Sequence, residues 1–310
     1  MKRTWIMALV MGIFCLQGCK QKTNQSENLA TEQSENETEQ LIYHYPLGNT
    51  KVALLSDGQN TADPSVLIGA SEEILKEFVP TGKAGGAFNI FLLKLNGKNI
   101  MVDAGMGFHL VENLAKEGVS PEQVDVVLLT HMHGDHIGGL LKDGQRVFPN
   151  AELYISQKEV AYWTDKKLQA SLPEGQQRGF DGAQAVVEAY KDKLHLFEPQ
   201  AVEQMQELMP GIKSIASYGH TPGHTCYLVE NGGSKLFIWG DLINFHPVQV
   251  PHPEIATRYD IDPVMAAESR AQLLKWVESQ GIEVAGMHVP YPGMGKLSRT
   301  QRGLELELLK

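Results

Sequence analysis

The chain has 310 residues, enough for one large domain or two small ones, and its 42% hydrophobic and 21% charged residues suit a globular fold with a sizeable core. The formal net charge of −10, with no Lys/Arg block in the body, counts against a nucleic-acid partner, because phosphate binding needs a concentrated basic face. Of three cysteines only Cys226 lies in the body, which excludes an internal disulfide there, and its apolar surroundings point to a buried, inert thiol rather than a ligand.

The first element is an address. Lys2 and Arg3 precede an apolar run over residues 5–16, too short to span a bilayer comfortably but suited to a signal-peptide core. It ends in Leu16-Gln17-Gly18-Cys19, which resembles the bacterial lipobox, in which the cysteine is acylated and becomes the new N-terminus. Residues 1–18 are therefore expected to be a lipoprotein signal peptide. Residues 19–40, rich in Gln, Asn, Glu, Ser and Thr, read as a flexible tether anchored to the membrane through Cys19. The expected location is the bacterial cell envelope, exported and either periplasmic or associated with the outer membrane.

The body, residues 41–310, reads as alternating strands and helices. Residues 52–55 read as a strand that turns at Ser56-Asp57-Gly58. Residues 88–95 and 98–102 read as strands joined by the hairpin turn Asn96-Gly97, leading into Asp103-Ala104-Gly105. A helix over 110–116 is followed by an apolar strand over 124–129. Ser156 with Glu159 three residues on predicts a capping box for a helix through Trp163. A helix over 182–191 then precedes strands at 194–197, 212–216, 226–229 and 236–239, the last two joined at Gly232-Gly233. Asp262, Pro263 and Gly281 bound the clearest helix, 263–280. Strands at 283–287 and 304–309 complete the chain. Hairpins mixed with crossover helices argue for a layered α/β protein with mixed sheets.

The chemistry concentrates in Thr130-His131-Met132-His133-Gly134-Asp135-His136, which directly follows the strand at 124–129. Three histidines and an aspartate within six residues are a poor match to random scatter of 11 histidines. Imidazole and carboxylate are the ligands zinc and its neighbours take when thiolate is absent. Gly134 is expected to permit the backbone turn, and Gly138-Gly139 to allow close packing behind it.

The pattern His131-x-His133-x-Asp135-His136 resembles the signature of the metallo-β-lactamase superfamily. Further landmarks follow in order: Gly219-His220-Thr221-Pro222-Gly223-His224-Thr225, Trp239-Gly240-Asp241, and Met287-His288-Val289-Pro290. The resemblance covers essentially the whole body and implies an αββα sandwich of two mixed sheets flanked by helices. It implies one metal held by His131, His133 and His224, and another by Asp135, His136 and His288, with Asp241 bridging. His220 is expected to support or pack, and Asp103 to orient a ligand histidine from behind. Two zinc ions are the implied cofactor, with iron or manganese as alternatives. Such a pair would acidify a water for attack on an ester, lactone or phosphoester, with Asp135 the candidate for passing a proton to the leaving group.

Asp241 stands where some true β-lactamases have an active-site cysteine, so the resemblance favours the hydrolase branches. The segment around Asp241, with Pro247-Val248-Gln249 and the later His288-x-Pro290-x-Pro292-Gly293, is similar to the branch containing methyl parathion hydrolase. The related acyl-homoserine lactonases carry a tyrosine three residues after the bridging aspartate, where this chain has Asn244. Trp163, Asn244, Phe245 and His246 are candidates for the wall of a small-molecule pocket. Three other readings compete: an iron-dependent redox enzyme of dioxygenase type on the same fold, a metal-containing lipoprotein without catalysis, and a nucleic-acid phosphodiesterase, which the acidic charge disfavours.

Overall fold

The structure is a computed structural model that describes residues 42–310; the expected signal and tether, with Cys19, lie outside the described residues. Its strands carry apolar side chains on both faces, as strands covered on both sides must. In the second strand Val52 and Leu54 point one way and Ala53 and Leu55 the other, all buried. Such strands read as continuous apolar runs, which explains the weak alternation in the sequence.

These strands form two seven-stranded sheets, each built in chain order. The first holds β1 (Ile42–Leu47), β2 (Thr50–Ala62), β3 (Ala84–Leu95), β4 (Lys98–Val102), β5 (Val126–Leu128), β6 (Glu152–Ser156) and β7 (Leu194–Phe197). The second holds β8 (Gln206–Met209), β9 (Ile212–Ala216), β10 (Thr225–Asn231), β11 (Ser234–Ile238), β12 (Glu283–Ala285), β13 (Met294–Thr300) and β14 (Gly303–Leu308). Both are mixed: β4 to β7 run parallel in the first, and β11 and β12 in the second, while the remaining pairs are antiparallel.

The helices are α1 (Glu72–Phe78), α2 (Leu110–Lys116), α3 (Gly134–Ile137), α4 (Gln157–Trp163), α5 (Lys166–Ser171), α6 (Glu174–Ala189), α7 (His246–Gln249) and α8 (Pro263–Gln280). Three apolar layers follow. Val52, Leu54, Phe91, Leu93, Val102 and Leu128 meet Tyr227, Val229, Leu236 and Ile238 between the sheets. Leu110 and Leu114 of α2 and Phe180, Ala183 and Val186 of α6 cover the outer face of the first sheet. Leu273, Leu274 and Val277 of α8 cover that of the second. This is the αββα sandwich.

Three local expectations change. Residues 56–58 do not turn. β2 runs on to Ala62 with a register shift between Ser56 and Gly58, and the buried carboxylate of Asp57 accepts from Gly107 N at 2.8 Å and His109 N at 2.6 Å. A residue that looks like turn chemistry thus holds the loop after β4. The helix expected over 182–191 begins at Glu174, because Phe180 anchors its glycine-containing first half against Trp163, with ring centroids 4.9 Å apart. Packing there outweighs propensity. Ser156 precedes α4, but its side chain makes no capping bond, and Glu159 turns into the interior.

Candidate metal centre

The topology brings the chemical residues to one edge. β4 and β5 are parallel neighbours, so Asp103 and Thr130-His131 leave the first sheet side by side. β11 and β12 are parallel neighbours in the second, so Asp241 and His288 leave it together. β10 is antiparallel to β11, so the loop entering β10, with His220 and His224, lies at the same edge.

Two groups of ligand atoms form there, each close enough to share an ion: His131, His133, His220 and Asp241, and Asp135, His136 and His288. In the first, His133 Nδ1 lies 3.0 Å from His131 Nε2 and 3.0 Å from His220 Nε2, and Asp241 Oδ2 lies 3.2 Å from His220 Nε2. In the second, His288 Nε2 lies 3.4 Å from Asp135 Oδ2, and His136 Nε2 lies 3.7 Å from the same oxygen. Asp241 joins the two groups. Its Oδ1 is 3.1 Å from His136 Nε2 and its Oδ2 is 3.1 Å from His288 Nε2.

The outward nitrogens fix the direction of the inward ones. His136 Nδ1 donates to Asp103 Oδ2 at 2.7 Å, and His220 Nδ1 to Asp260 Oδ1 at 2.8 Å. His288 Nδ1 donates to the Ala87 carbonyl at 2.9 Å. Thr130 Oγ1 gives its proton to Asp103 and accepts from His131 Nδ1 at 3.0 Å. With each Nδ1 so engaged, the Nε2 atoms of His131, His136, His220 and His288 face inward, the arrangement that orients metal-ligating imidazoles. His136 Nε2 and Asp241 Oδ1 are both buried, and neither makes a hydrogen bond. Buried polar atoms without partners are costly, and a shared cation would satisfy both. The donor set therefore fits one or two divalent ions.

The charges agree. Burial alone would raise the carboxyl of Asp241, but His136, His288, His131 and His220 hold it well below the ordinary carboxylate range. Burial pushes His133 down to about 3, with His220 adding to the effect. Burial also pulls His220 down, but the carboxylates of Asp241 and Asp260 outweigh it and hold that ring at about 9.

The expected set changes at one position. His224 is buried, but both its nitrogens are used: Nδ1 donates to the Ser217 carbonyl at 3.1 Å and Nε2 accepts from Asp241 N at 2.9 Å. It steadies the backbone of Asp241, and His220 takes the place expected for it. The two histidines share one Gly-His-Thr-Pro-Gly-His segment, and spacing alone does not rank them. The separating signal is Asp260, a buried acid that sequence reading missed.

At Gly134 a side chain would meet nothing within 4 Å. The close approach expected behind the motif is present at Gly139, where a Cβ would lie 2.2 Å from the Ala104 carbonyl. Asp103 sits at a φ of 60°, a left-handed conformation uncommon for a non-glycine residue, and its carboxylate accepts from Thr130 N at 2.7 Å as well as from His136. Cys226 is buried, its thiol donates to the Trp239 carbonyl at 3.2 Å and is pushed up to about 12 by burial, and it belongs to neither ligand group.

The cluster opens into a cavity of about 1110 Å³. Phe88, Tyr162, Trp163, Phe180, Phe245 and Ile261 supply apolar wall, and His133, Asp135, Asp241 and His288 form the reactive side. Trp163, Asn244 and Phe245 line it as expected; His246 does not. Asn244 donates from Nδ2 to Asp241 Oδ2 at 2.7 Å.

Comparison with known proteins agrees with this geometry. The family model of the metallo-beta-lactamase superfamily matches residues 85–291. A crystal structure described as hydrolase AbOPH in the beta lactamase superfamily is 30% identical, with 87% of this chain and 97% of that chain covered and a TM-score of 0.77. AidC, described as a dizinc quorum-quenching lactonase, is 27% identical, with 87% and 99% covered and a TM-score of 0.78. Among curated proteins, Ribonuclease TTHA0252 of Thermus thermophilus is 31% identical over 177 residues, which is 55% of this chain but 38% of that protein. The chain thus spans well under half the length of that relative. With the fold, the four motifs and the family match in agreement, the chain belongs to the metallo-beta-lactamase superfamily.

Proposed function

We propose that this chain is a dinuclear metal-dependent hydrolase acting on a small ester or lactone, with zinc in both sites. One ion would be held by His131, His133 and His220, the other by Asp135, His136 and His288, with Asp241 between them. The observation that carries this is the set of inward ring nitrogens around Asp241, four of them fixed in direction by hydrogen bonds to the opposite ring nitrogen. When bound, the two cations supply Lewis acidity, lowering the pKa of coordinated water and polarising the acceptor oxygen of the substrate.

The chain's own residues do the rest. Five imidazoles and two carboxylates leave roughly +2 on two divalent ions, which favours electron-rich acyl groups. The aromatic wall of Phe88, Trp163, Phe180 and Phe245 binds the apolar part of the substrate and excludes water beside the reacting bond. Asp135 is more open to the cavity than the other acids of the cluster, with its side chain 28% exposed. From there it can carry a proton to the leaving oxygen. The likeness to AidC over nearly the whole of both chains supports a lactone or ester. The ribonuclease relative makes RNA the second reading. Export and lipid attachment at Cys19 complete the proposal and rest on the sequence alone.

The test is to assay the purified protein, with its metal content known, against a lactone, an aryl ester, a phosphotriester and a short RNA. Turnover of the lactone or ester supports the proposal, and turnover of RNA alone replaces it with the second reading. Asp135→Asn should lower kcat by a factor on the order of 10²–10⁴. Unchanged turnover in that variant would remove Asp135 from the proton path.

A further inference from the structure

Glu159 takes part in neither ligand group, yet it is a fully buried acid with four donors. Its Oε1 accepts from Met132 N at 3.0 Å and from Trp163 Nε1 at 2.6 Å. Its Oε2 accepts from Thr221 Oγ1 at 2.8 Å and from Gly223 N at 2.9 Å. These four bonds, two to each oxygen, give both carboxyl oxygens polar partners inside the protein.

Each donor has a meaning. Met132 lies between His131 and His133. Thr221 and Gly223 follow His220 on its loop. Trp163 is a wall of the cavity, and its ring stands edge-on to His133 with centroids 5.5 Å apart. One carboxylate therefore ties together the two loops that carry His131, His133 and His220. The His220 loop packs closely on it, since a Cβ at Gly223 would lie 2.3 Å from Glu159 N. The ligands of the other group have their own partners, none of them Glu159: Asp103, which also reaches His131 through Thr130, holds His136, and the Ala87 carbonyl holds His288.

We infer that Glu159 is a positioning residue for one of the two metal sites, setting the distance between the His131–His133 loop and the His220 loop, and linking that site to the cavity wall through Trp163. The inference rests on the dinuclear reading above. It gives the first site a brace that touches neither His136 nor His288, so that site can be weakened without removing a support of the second.

The experiment is a zinc titration of the metal-stripped, full-length protein against a chromophoric chelator. Two binding steps are expected, and His220→Ala and His288→Ala assign one step to each site. Glu159→Gln keeps the size of the side chain but turns an amide donor toward donors. It should weaken the step removed by His220→Ala by about tenfold, as loss of a bond that orients a ligand does, and leave the other step unchanged. Equal weakening of both steps would mark Glu159 as a general packing residue, and no weakening would remove it from the site; either result overturns the inference. Thr221→Val, which deletes one donor and leaves the Glu159 side chain in place, is read in the same way should Glu159→Gln fail to fold: a smaller loss confined to the His220 step supports the inference, and an equal or absent effect overturns it. Wild-type protein that binds no zinc would fell the dinuclear reading and this inference together. Two intact steps in both wild type and variants would fell the inference alone.

Discussion

His220 and His224 lie four residues apart on one loop, and what separates them is the use of the second ring nitrogen. His220 Nε2 faces the cluster, while His224 Nε2 is taken by the backbone of Asp241. His220→Ala should cost one equivalent of metal and most of the turnover. His224→Ala should keep both equivalents and lose about 1–3 kcal/mol of stability, the cost of a buried N–H left without its acceptor. Metal analysis and urea unfolding of the two variants separate these roles. The same ring predicts a pH effect. Burial, followed by the neighbouring charge of His220, holds His224 at about 3. Its unfolded value is about 6.5, so below that pH the unfolded chain takes up a proton that the native ring refuses. Stability from His224 is present above pH 6.5 and is lost as pH falls toward 3. His224→Gln should flatten this limb in urea melts across that range. Most of the site was legible at this scale because its ligands cluster in short motifs. The choice between His220 and His224 was not, because Asp260 lies 40 residues from His220 and no local pattern announces it.

At the scale of elements, α8 shows what sequence reading can do. Asp262 accepts from Met265 N, Pro263 opens the first turn, and Gly281 closes the helix at a φ of 63°, all as expected. These are local signals, and removing one has a local cost: Asp262→Ala should lower stability by about 1 kcal/mol in thermal or urea melts. α6 shows the opposite. Its first nine residues carry Gly175, Gly179 and Gly182, poor helix formers, and it forms because Phe180 is buried against Trp163 and Tyr162. Phe180→Ala should cost about 3–5 kcal/mol and enlarge the cavity where substrate is expected, so a rise in KM should accompany the loss of stability. Glu159 belongs here too. The pattern of Ser156 and Glu159 is that of a capping box, and only the tertiary contact with the His220 loop reveals why the acid is present.

At the scale of the whole molecule, the site stands where two sheets with separate covering helices meet at one edge. The apolar layer between the sheets supplies the rigidity, but the loops that carry Asp103, His131, His220, Asp241 and His288 come from both sheets. Bound ions would therefore join the sheets. Each ion at a free concentration of 100 times its Kd adds about 2.7 kcal/mol to stability. Chelation should lower the melting temperature, and restored zinc should raise it again. The layered architecture was legible because hairpin turns such as Asn96-Gly97 and long helices such as α8 have local signatures. The long continuation of β2 was hidden because its polar residue Asp57 serves a loop 50 positions away. The central claim is that these ligands hold two metal ions that carry out hydrolysis, and elemental analysis of the purified protein alongside its Asp241→Ala variant tests it most directly. About two equivalents of zinc in the wild type, with metal and ester or lactone turnover both lost in the variant, is the predicted result. Protein that contains no metal and takes none up on addition, or that holds a single iron and hydrolyses nothing, would contradict it.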